Sequence, residues 1–175
     1  MTMAAWCVAL ALSLFYGPQI QAAPPTRDAI LKASRTIIAN ARYATLVTAS
    51  TDSGSPDARI IDPFTPDPDM SIWFATNPKS RKVAELAKDP HVTLLYFDAT
   101  AKGYVTLKGK ATLVRDAGAK AARWKDDWMG MYADKNHGDD YLLVKVVPET
   151  LEVVSVALNM INDPATWKPV TLMLR

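Results

Sequence analysis

The sequence predicts a mainly β protein with α structure, of the α+β class, built as an antiparallel β-barrel decorated by about three helices. Short runs rich in β-branched and aromatic residues follow one another at turn-length intervals, as in hairpins and barrels. Only three segments have the apolar spacing of an amphipathic helix. The strands come mainly in hairpins and do not alternate with crossover helices, which argues against a parallel doubly wound sheet.

The first half of the chain predicts one helix and three strands. The helix covers Thr26–Asn40, where apolar residues recur at helical spacing; Thr26 is a suitable N-cap and Asp28 a favourable first-turn charge. Clusters of Pro, Gly, Asp and Ser at 52–56 and 65–69 predict the turns between strands. The strands are Tyr43–Ser50, Asp57–Phe64 and Met70–Thr76.

The second half predicts two further helices and four strands. Ser80 is the N-cap of a helix that runs to Lys88, and Asp89-Pro90 ends it. Asp116 caps a third predicted helix that extends to about Tyr132. No element is assigned to the C-terminal tail. The strands are His91–Asp98, Tyr104–Val114, Tyr141–Val147 and Leu151–Ala157.

Length and charge exclude several classes of function. The chain has 175 residues, which suits one domain with a single core. Its net charge is +2 and its basic residues are interleaved with acids, so no nucleic-acid partner is predicted. His91 and His137 have no partners at metal-ligand spacing, so no metal site is predicted. The sequence contains no motif of a nucleophilic enzyme.

The N-terminal segment differs from the rest because residues 1–26 contain no Lys, Arg, Asp or Glu. An apolar run over Ala4–Tyr16 has the length of a signal-peptide core, and Ala22 follows at a plausible cleavage position. The run is too short for a stable membrane span, which takes roughly 20 apolar residues. We therefore predict a cleaved signal peptide over 1–22, a mature domain over 23–175, and a periplasmic or secreted location. A cytoplasmic location follows if the segment is instead an N-terminal extension.

One stretch concentrates groups that bind anions. The strand that ends at Thr76 is followed by a turn and by a helix that opens at Ser80, and helix N-termini bind anions through free N–H groups and a partial positive charge. The Arg81 guanidinium and the Lys82 ammonium add charge-assisted donors that suit a phosphate. The stretch predicts a phosphate site. The alternative is a capped surface helix whose basic side chains are solvated.

Several motifs occur in a defined order along the chain. An Arg on the second strand of a hairpin precedes a Phe-x-Thr-Asn segment followed by Ser-Arg-Lys, then a Tyr-Val-x-x-x-Gly strand and a segment with two Trp residues. These residues are Arg59, Phe74, Thr76, Asn77, Ser80, Arg81, Lys82, Tyr104, Val105, Gly109, Trp124 and Trp128. In this order they resemble the FMN-binding split β-barrels of the pyridoxamine-5′-phosphate-oxidase superfamily, and within it the general-stress-protein branch. The resemblance covers roughly residues 26–157.

The resemblance implies a split barrel that binds FMN between the two protomers of a homodimer. The strand that carries Arg59 would lie along the flavin, with backbone groups of Ile60 and Ile61 at the isoalloxazine edge. The residues implied to lie beside the ribityl phosphate, to hold the phosphate or to contact the flavin elsewhere are Ala75, Thr76, Ser80, Arg81, Lys82, Tyr104 and Trp128.

Two of these assignments have alternatives. Arg59 could instead form a surface ion pair at a strand edge. Trp124, Trp128 and Tyr132 are spaced four residues apart on one face of the predicted third helix, and this face could pack against the barrel rather than form an aromatic wall over the flavin or a dimer contact.

The chain also departs from the oxidases that give the superfamily its name. Phe64 stands where they carry a Lys, Tyr104 stands where they carry a Gln, and the C-terminal region that grips pyridoxal phosphate has no counterpart. We therefore expect an FMN-dependent oxidoreductase of unknown substrate that is not a pyridoxamine-phosphate oxidase. No catalytic residue is singled out, because the flavin would carry the redox chemistry. The alternatives are a non-enzymatic flavin or haem carrier on the same barrel, and a family member that serves only as a structural dimer.

Overall fold

The structure, a computed structural model, describes residues 23–175, so the predicted signal peptide over 1–22 lies outside the described residues. The first element is helix α1 (Arg27–Ala41). Thr26 caps it as predicted, because its Oγ1 accepts a hydrogen bond from the amide of Ala29 at 3.3 Å. Across 23–175, no helix has both the length and the hydropathy that crossing a bilayer requires.

Seven strands form a single antiparallel sheet. They are β1 (Ala44–Thr48), β2 (Asp57–Ile61), β3 (Ile72–Thr76), β4 (His91–Asp98), β5 (Gly103–Val114), β6 (Leu142–Ser155) and β7 (Val170–Met173). The order is β2-β1-β4-β5-β6-β3, with β7 added to β6. Among the described residues β2 and β3 do not pair with each other, so the sheet is not closed. The remaining elements are α2 (Arg81–Lys88), α3 (Ala117–Ala121) and a 3₁₀ turn (Asp126–Trp128). The predicted fold class, mainly β with α, is confirmed.

Alternation along the strands separates a buried face of the sheet from an exposed one. Leu46 and Leu94 have no exposed surface, whereas Leu95 and Phe97 of β4 point to the other face and are exposed. Helix α1 packs against the buried face and contributes Ile37, which is also fully buried. The core therefore lies between α1 and the sheet, whereas Ile60, Leu95 and Phe97 on the opposite face are exposed.

The predicted third helix over 116–132 is wrong, because α3 ends at Ala121. Side chains from later in the chain take the carbonyl groups that a longer helix would use. The Asn136 amide donates to the Ala121 carbonyl at 3.3 Å and to the preceding carbonyl at 2.8 Å. The Tyr141 hydroxyl donates to the carbonyl of Arg123 at 2.5 Å. These tertiary hydrogen bonds satisfy the helix end and outweigh the local helical spacing.

The last two predicted strands, Tyr141–Val147 and Leu151–Ala157, are one continuous strand, β6. Pro148 has no N–H to donate, yet it lies inside β6 because the register with β5 shifts between Lys108 and Gly109. A Cβ on Gly109 would lie 2.2 Å from the carbonyl oxygen of the residue before Pro148. Glycine therefore permits the close approach that lets the bulge absorb the proline.

Two larger departures from the prediction concern the end of β2 and the C-terminal tail. Strand β2 ends at Ile61 rather than Phe64, because Pro63 interrupts the ladder of backbone donors. The C-terminal tail, for which the sequence predicted no element, adds β7 to the sheet. Its last residue, Arg175, donates to Asp69 Oδ2 at 2.8 Å and so fastens the tail to the turn before β3.

Candidate functional site

Two hydroxyl groups meet where β3 passes into α2. Thr76 is the last residue of β3, and Ser80 occupies the N-cap position of α2. The Ser80 side chain does not bond to a helix N–H; its Oγ lies 3.1 Å from Thr76 Oγ1. The turn between them is held by Asn77, whose side-chain oxygen accepts from the Lys79 amide at 2.9 Å. The first amides of α2 therefore remain without a side-chain cap, as an anion site at a helix N-terminus requires.

Lys82 brings a positive charge to the same point. Its Nζ donates to Thr76 Oγ1 at 3.0 Å, and its side chain is half-buried. Burial lowers the pKa of the Lys82 ammonium; the nearby Arg59 and Arg81 charges lower it further, and Glu85 opposes them. We call Thr76, Ser80 and Lys82 the cradle, because two hydroxyls and one ammonium converge there.

Both arginines of the predicted site are paired with carboxylates. The Arg59 guanidinium donates to Glu85 Oε2 at 2.7 Å and contacts Thr48 Oγ1. Arg81 Nε lies 3.0 Å from Glu85 Oε1, outside hydrogen-bond geometry, and its other end lies 3.0 Å from Asp57 Oδ1. Arg59 is thus in a largely buried ion pair rather than a surface one, and neither guanidinium is hydrogen-bonded into the cradle.

A cleft of about 310 Å³ runs from the cradle along the end of β2. Five residues that the sequence assigned to the site line it together, namely Ile60, Ile61, Ala75, Lys82 and Trp128. Thr76 and Ser80 join them through Lys82. Arg59 and Tyr104 are not among the residues that line this cleft. Tyr104 lies on β5, between Phe97 of β4 and Val154 of β6.

The far wall of the cleft is aromatic. Trp128 is buried and meets Phe64 edge-on at 5.3 Å between ring centroids, with Trp124 and Tyr132 each at 6.2 Å. These residues do not share a helical face, because the predicted helix is absent, yet they still lie side by side. Trp128 and Tyr132 both pack in this cluster and line the cleft.

Asp62 fixes this aromatic wall to the end of β2. Its carboxylate accepts from Trp128 Nε1 at 2.9 Å and from Lys125 Nζ at 2.7 Å, and Arg42 lies 3.6 Å away. Burial raises the pKa of the Asp62 carboxyl, but these hydrogen bonds and the two cations outweigh burial and hold the pKa below its usual value. One ionised side chain therefore positions the segment that closes one side of the cleft.

Sequence reasoning missed both Asp62 and Glu85. Glu85 carried a signal, because it lies between Val83 and Leu86 on the face of α2 that packs inward, where a charge needs a partner. Asp62 carried a weaker one, since an acid directly after a strand and before a proline is common in ordinary turns.

A second cleft, of about 370 Å³, lies at the other end of the sheet near His91 and Lys108. It contains none of the residues that the sequence assigned to a site. His91 Nδ1 is already 2.7 Å from Asp89 Oδ1, and Lys108 donates to Glu152 at 2.7 Å. Its polar groups are therefore paired locally and do not converge on a point, unlike those of the cradle.

Comparison with known proteins relates the chain to one family. The family model described as pyridoxamine 5′-phosphate oxidase matches residues 30–155. No curated protein matches the chain. A Clostridium acetobutylicum protein related to general stress protein 26 has a similar structure, with a TM-score of 0.70 and 18% identity over 85% of this chain and 96% of that one.

Two other similar structures differ in the ligand that their names give. A pyridoxamine 5′-phosphate oxidase-related, FMN-binding protein of Nostoc punctiforme matches with a TM-score of 0.58 and 15% identity, over 89% of this chain and all of that one. A haem-binding protein of Mycobacterium smegmatis matches with a TM-score of 0.62 and 18% identity, over 87% of this chain and 60% of that one. At these identities the likeness concerns the fold.

Replacing Asp62 tests whether its charge holds the aromatic wall. Because the folded-state pKa lies below the usual 3.8, the stabilisation by Asp62 is complete above that value and is lost as the pH falls through the folded-state pKa. We expect Asp62→Asn to lower the free energy of unfolding by roughly 1.5–3 kcal/mol at neutral pH. The difference from the wild type should shrink below about pH 4. Urea titrations at several pH values measure it.

The control for this variant is Asp126→Asn, which alters an exposed acid in the neighbouring 3₁₀ turn. It should change stability little at any pH. Equal losses in the two variants, or an Asp62→Asn loss that is independent of pH, would contradict the assigned role.

Proposed function

This chain belongs to the pyridoxamine 5′-phosphate oxidase family, and on that premise we propose that it binds FMN, with the FMN phosphate in the cradle. The proposal rests on the convergence of three groups at Thr76, whose hydroxyl lies 3.1 Å from the Ser80 hydroxyl and 3.0 Å from the Lys82 ammonium. Hydroxyls and ammonium groups donate hydrogen bonds that the oxygens of a phosphate ester accept. Arg59 and Arg81 add positive charge nearby, which their effect on the pKa of Lys82 reflects.

The rest of the cleft suits a planar, mostly apolar ring system. Ile60 and Ala75 provide an aliphatic side, and Trp128 and Tyr132 provide an aromatic one. Ligand sites of this kind combine an apolar lining with a few convergent polar groups. FMN has both groups: its planar ring would lie against the apolar lining, and its phosphate would lie in the cradle.

The same cleft is a poorer match for haem, the alternative that the Mycobacterium smegmatis neighbour raises. Haem iron is held by His, Cys, Met or Tyr in proteins. Neither His nor Cys occurs among the described residues that line the cleft, although Met131 and Tyr132 do. The cradle would suit a phosphate or a haem propionate alike, so the preference for FMN rests on a described lining that offers iron no His or Cys. We therefore favour FMN and keep haem as the competing occupant.

We further propose that the chain is an FMN-dependent oxidoreductase whose substrate differs from that of the oxidases proper. When bound, FMN would supply hydride or electron transfer, and the protein would bind, orient and shield it. Phe64, which replaces a Lys of the oxidases, packs on Trp128 and so contributes shape instead of charge. The alternative function is a carrier that holds the flavin without turning it over.

We propose that two copies of the chain pair through the exposed sheet face. Ile60, Leu95 and Phe97 are 66%, 38% and 64% exposed, and the register places them on the same face. Tyr104 pairs with Phe97 and shares this face, so in such a dimer it would lie at the interface. Because Ile60 also lines the cleft, pairing there would cover the open side of the flavin site.

Export through the predicted signal peptide would place this dimer in the periplasm or outside the cell. A chain exported in the unfolded state would then have to bind FMN after transport.

Removal of the Lys82 charge is the sharpest test of the phosphate assignment. The wild-type protein should bind FMN at micromolar concentration, and quenching of the flavin fluorescence measures this binding. Lys82→Ala should weaken FMN binding by roughly ten- to a hundredfold, because a charge-assisted hydrogen bond to phosphate is lost. Lys79→Ala, which removes an exposed ammonium three residues earlier, is the matched control and should bind like the wild type. Equal binding by all three proteins would contradict the cradle, and a Soret band after haem addition without FMN uptake would favour haem.

Anaerobic mixing of the FMN-loaded protein with NADH or NADPH separates enzyme from carrier. An oxidoreductase that accepts electrons from a nicotinamide should bleach the flavin absorbance faster than free FMN is bleached. Tight binding with no acceleration for either donor would support the carrier.

The dimer proposal predicts that a single negative charge introduced on the exposed sheet face changes the oligomeric state. Light scattering should give a dimer for the wild type and a monomer for Phe97→Glu, because a buried unpaired carboxylate is costly at an interface. FMN affinity should fall with the dimer. Val156→Glu, at a 74% exposed position beyond β6, should remain dimeric and bind FMN. A wild-type monomer that binds FMN tightly would refute pairing through this face.

A further inference from the structure

Glu85 is a carboxylate with no exposed surface, and it lies on α2, the helix whose N-terminus carries Ser80 and Lys82. Its Oε2 accepts from Arg59 at 2.7 Å and from Thr48 Oγ1 at 2.5 Å, and its Oε1 lies 3.0 Å from Arg81 Nε. A buried charge persists only where partners replace its water shell. The close polar groups around Glu85 among the described residues are two guanidinium groups and a hydroxyl, which are suitable partners for a carboxylate.

The surrounding charges are unbalanced. Arg59, Arg81 and Lys82 lie near one another, and both arginines lower the pKa of Lys82. Two carboxylates face them, Glu85 and Asp57, and the latter lies 3.0 Å from the outer end of Arg81. Three cations against two anions leave one excess positive charge. Of these three cations, Lys82 alone is paired with neither carboxylate in the part of the chain that the structure describes, and its ammonium donates to the hydroxyl of Thr76.

From this arrangement, and resting on the proposed phosphate site, we infer that Glu85 is an internal counter-anion that has two effects. It holds the three cations together while the site is empty, and it limits the affinity of the site for phosphate esters by occupying Arg59 and Arg81. Glu85 is thus a positioning residue that sets how tightly the cradle retains its ligand.

The geometry explains why both effects belong to one side chain. Glu85 lies on α2, Arg59 on β2 and Thr48 on β1, so the carboxylate joins three elements around the cradle. Without an anion at this position, the cations from β2 and α2 would repel each other whenever phosphate is absent. With it, part of this repulsion is compensated when no phosphate is bound.

The test replaces Glu85 by the isosteric, uncharged Gln and uses inorganic phosphate as the probe, at constant ionic strength with chloride as the substituting anion. Without phosphate, Glu85→Gln should melt at a lower temperature than the wild type, because the buried Arg59 loses its counter-charge. Added phosphate should raise the melting temperature of the variant by more than that of the wild type. Calorimetric titration should give a phosphate Kd lower by about tenfold, because one negative charge is removed beside the bound anion.

Glu152→Gln is the matched control, since Glu152 is also a carboxylate in an ion pair, with Lys108, on a remote part of the sheet. It should leave the phosphate Kd unchanged. If phosphate stabilises Glu85→Gln no more than the wild type, or if the Kd does not fall, the inference is overturned. Recovery of an unfolded Glu85→Gln protein by phosphate would support it in the strongest form.

If Glu85→Gln does not fold even with phosphate, Asp57→Asn decides. Asp57 is the other carboxylate on Arg81 and is partly exposed, so its replacement leaves the core intact. Release of Arg81 should lower the phosphate Kd severalfold. An unchanged Kd would overturn the inference that carboxylates compete with the ligand for the arginines.

FMN uptake by the wild type reports on the proposed function separately. A wild type that binds FMN, with variants that bind phosphate no tighter, refutes only the counter-anion, whereas a wild type that binds neither FMN nor phosphate refutes the proposed function as well.

Discussion

The buried ion pair between Glu85 and Arg59 is the constraint on which the site depends. It joins α2 to β2 by a bond between charges that have been removed from water, and it draws in Thr48 of β1 through the same oxygen. Breaking such a pair leaves an uncompensated charge inside the protein, which is costly. The pair therefore holds α2 against β2 and β1. At the N-cap position of the same helix, the Ser80 hydroxyl lies 3.1 Å from the hydroxyl of Thr76 at the end of β3.

The opposite wall of the cleft depends on a second ionised group. Asp62 links the end of β2 to Trp128 and Lys125, so the aromatic segment is placed by tertiary contacts and not by a helix of its own. Both walls are therefore attached to β2, the strand at the edge of an unclosed sheet. The cleft is lined by Ile60 and Ile61 of β2 and by Ala75 of β3, the strands at the two ends of the sheet order. This explains how a fold with an ordinary core can keep a ligand-sized opening beside it.

Much of the fold and part of the site could be predicted from the sequence, because the signals were local. The strand from His91 to Asp98 and the helix that ends before Asp89-Pro90 follow from alternation, capping and breakers. Thr76, Ser80 and Lys82 could be grouped because a strand, a turn and a helix start bring near neighbours in sequence together. The third helix failed because Asn136 and Tyr141, distant in sequence, take its carbonyls, and no local pattern records that. The pairing of Arg59 and Arg81 with Glu85 was missed for the same reason: the sequence reveals charges but not which of them meet in three dimensions.

A crystal structure of the full protein grown with FMN would show directly whether the cradle holds the phosphate. We expect density for the FMN phosphate within hydrogen-bond distance of Thr76 Oγ1, Ser80 Oγ and Lys82 Nζ. The ring system should lie against Ile60 and Trp128, and Glu85 should still accept a hydrogen bond from Arg59. FMN bound elsewhere, or no phosphate density at Thr76, Ser80 and Lys82 at saturating FMN, would contradict the phosphate assignment.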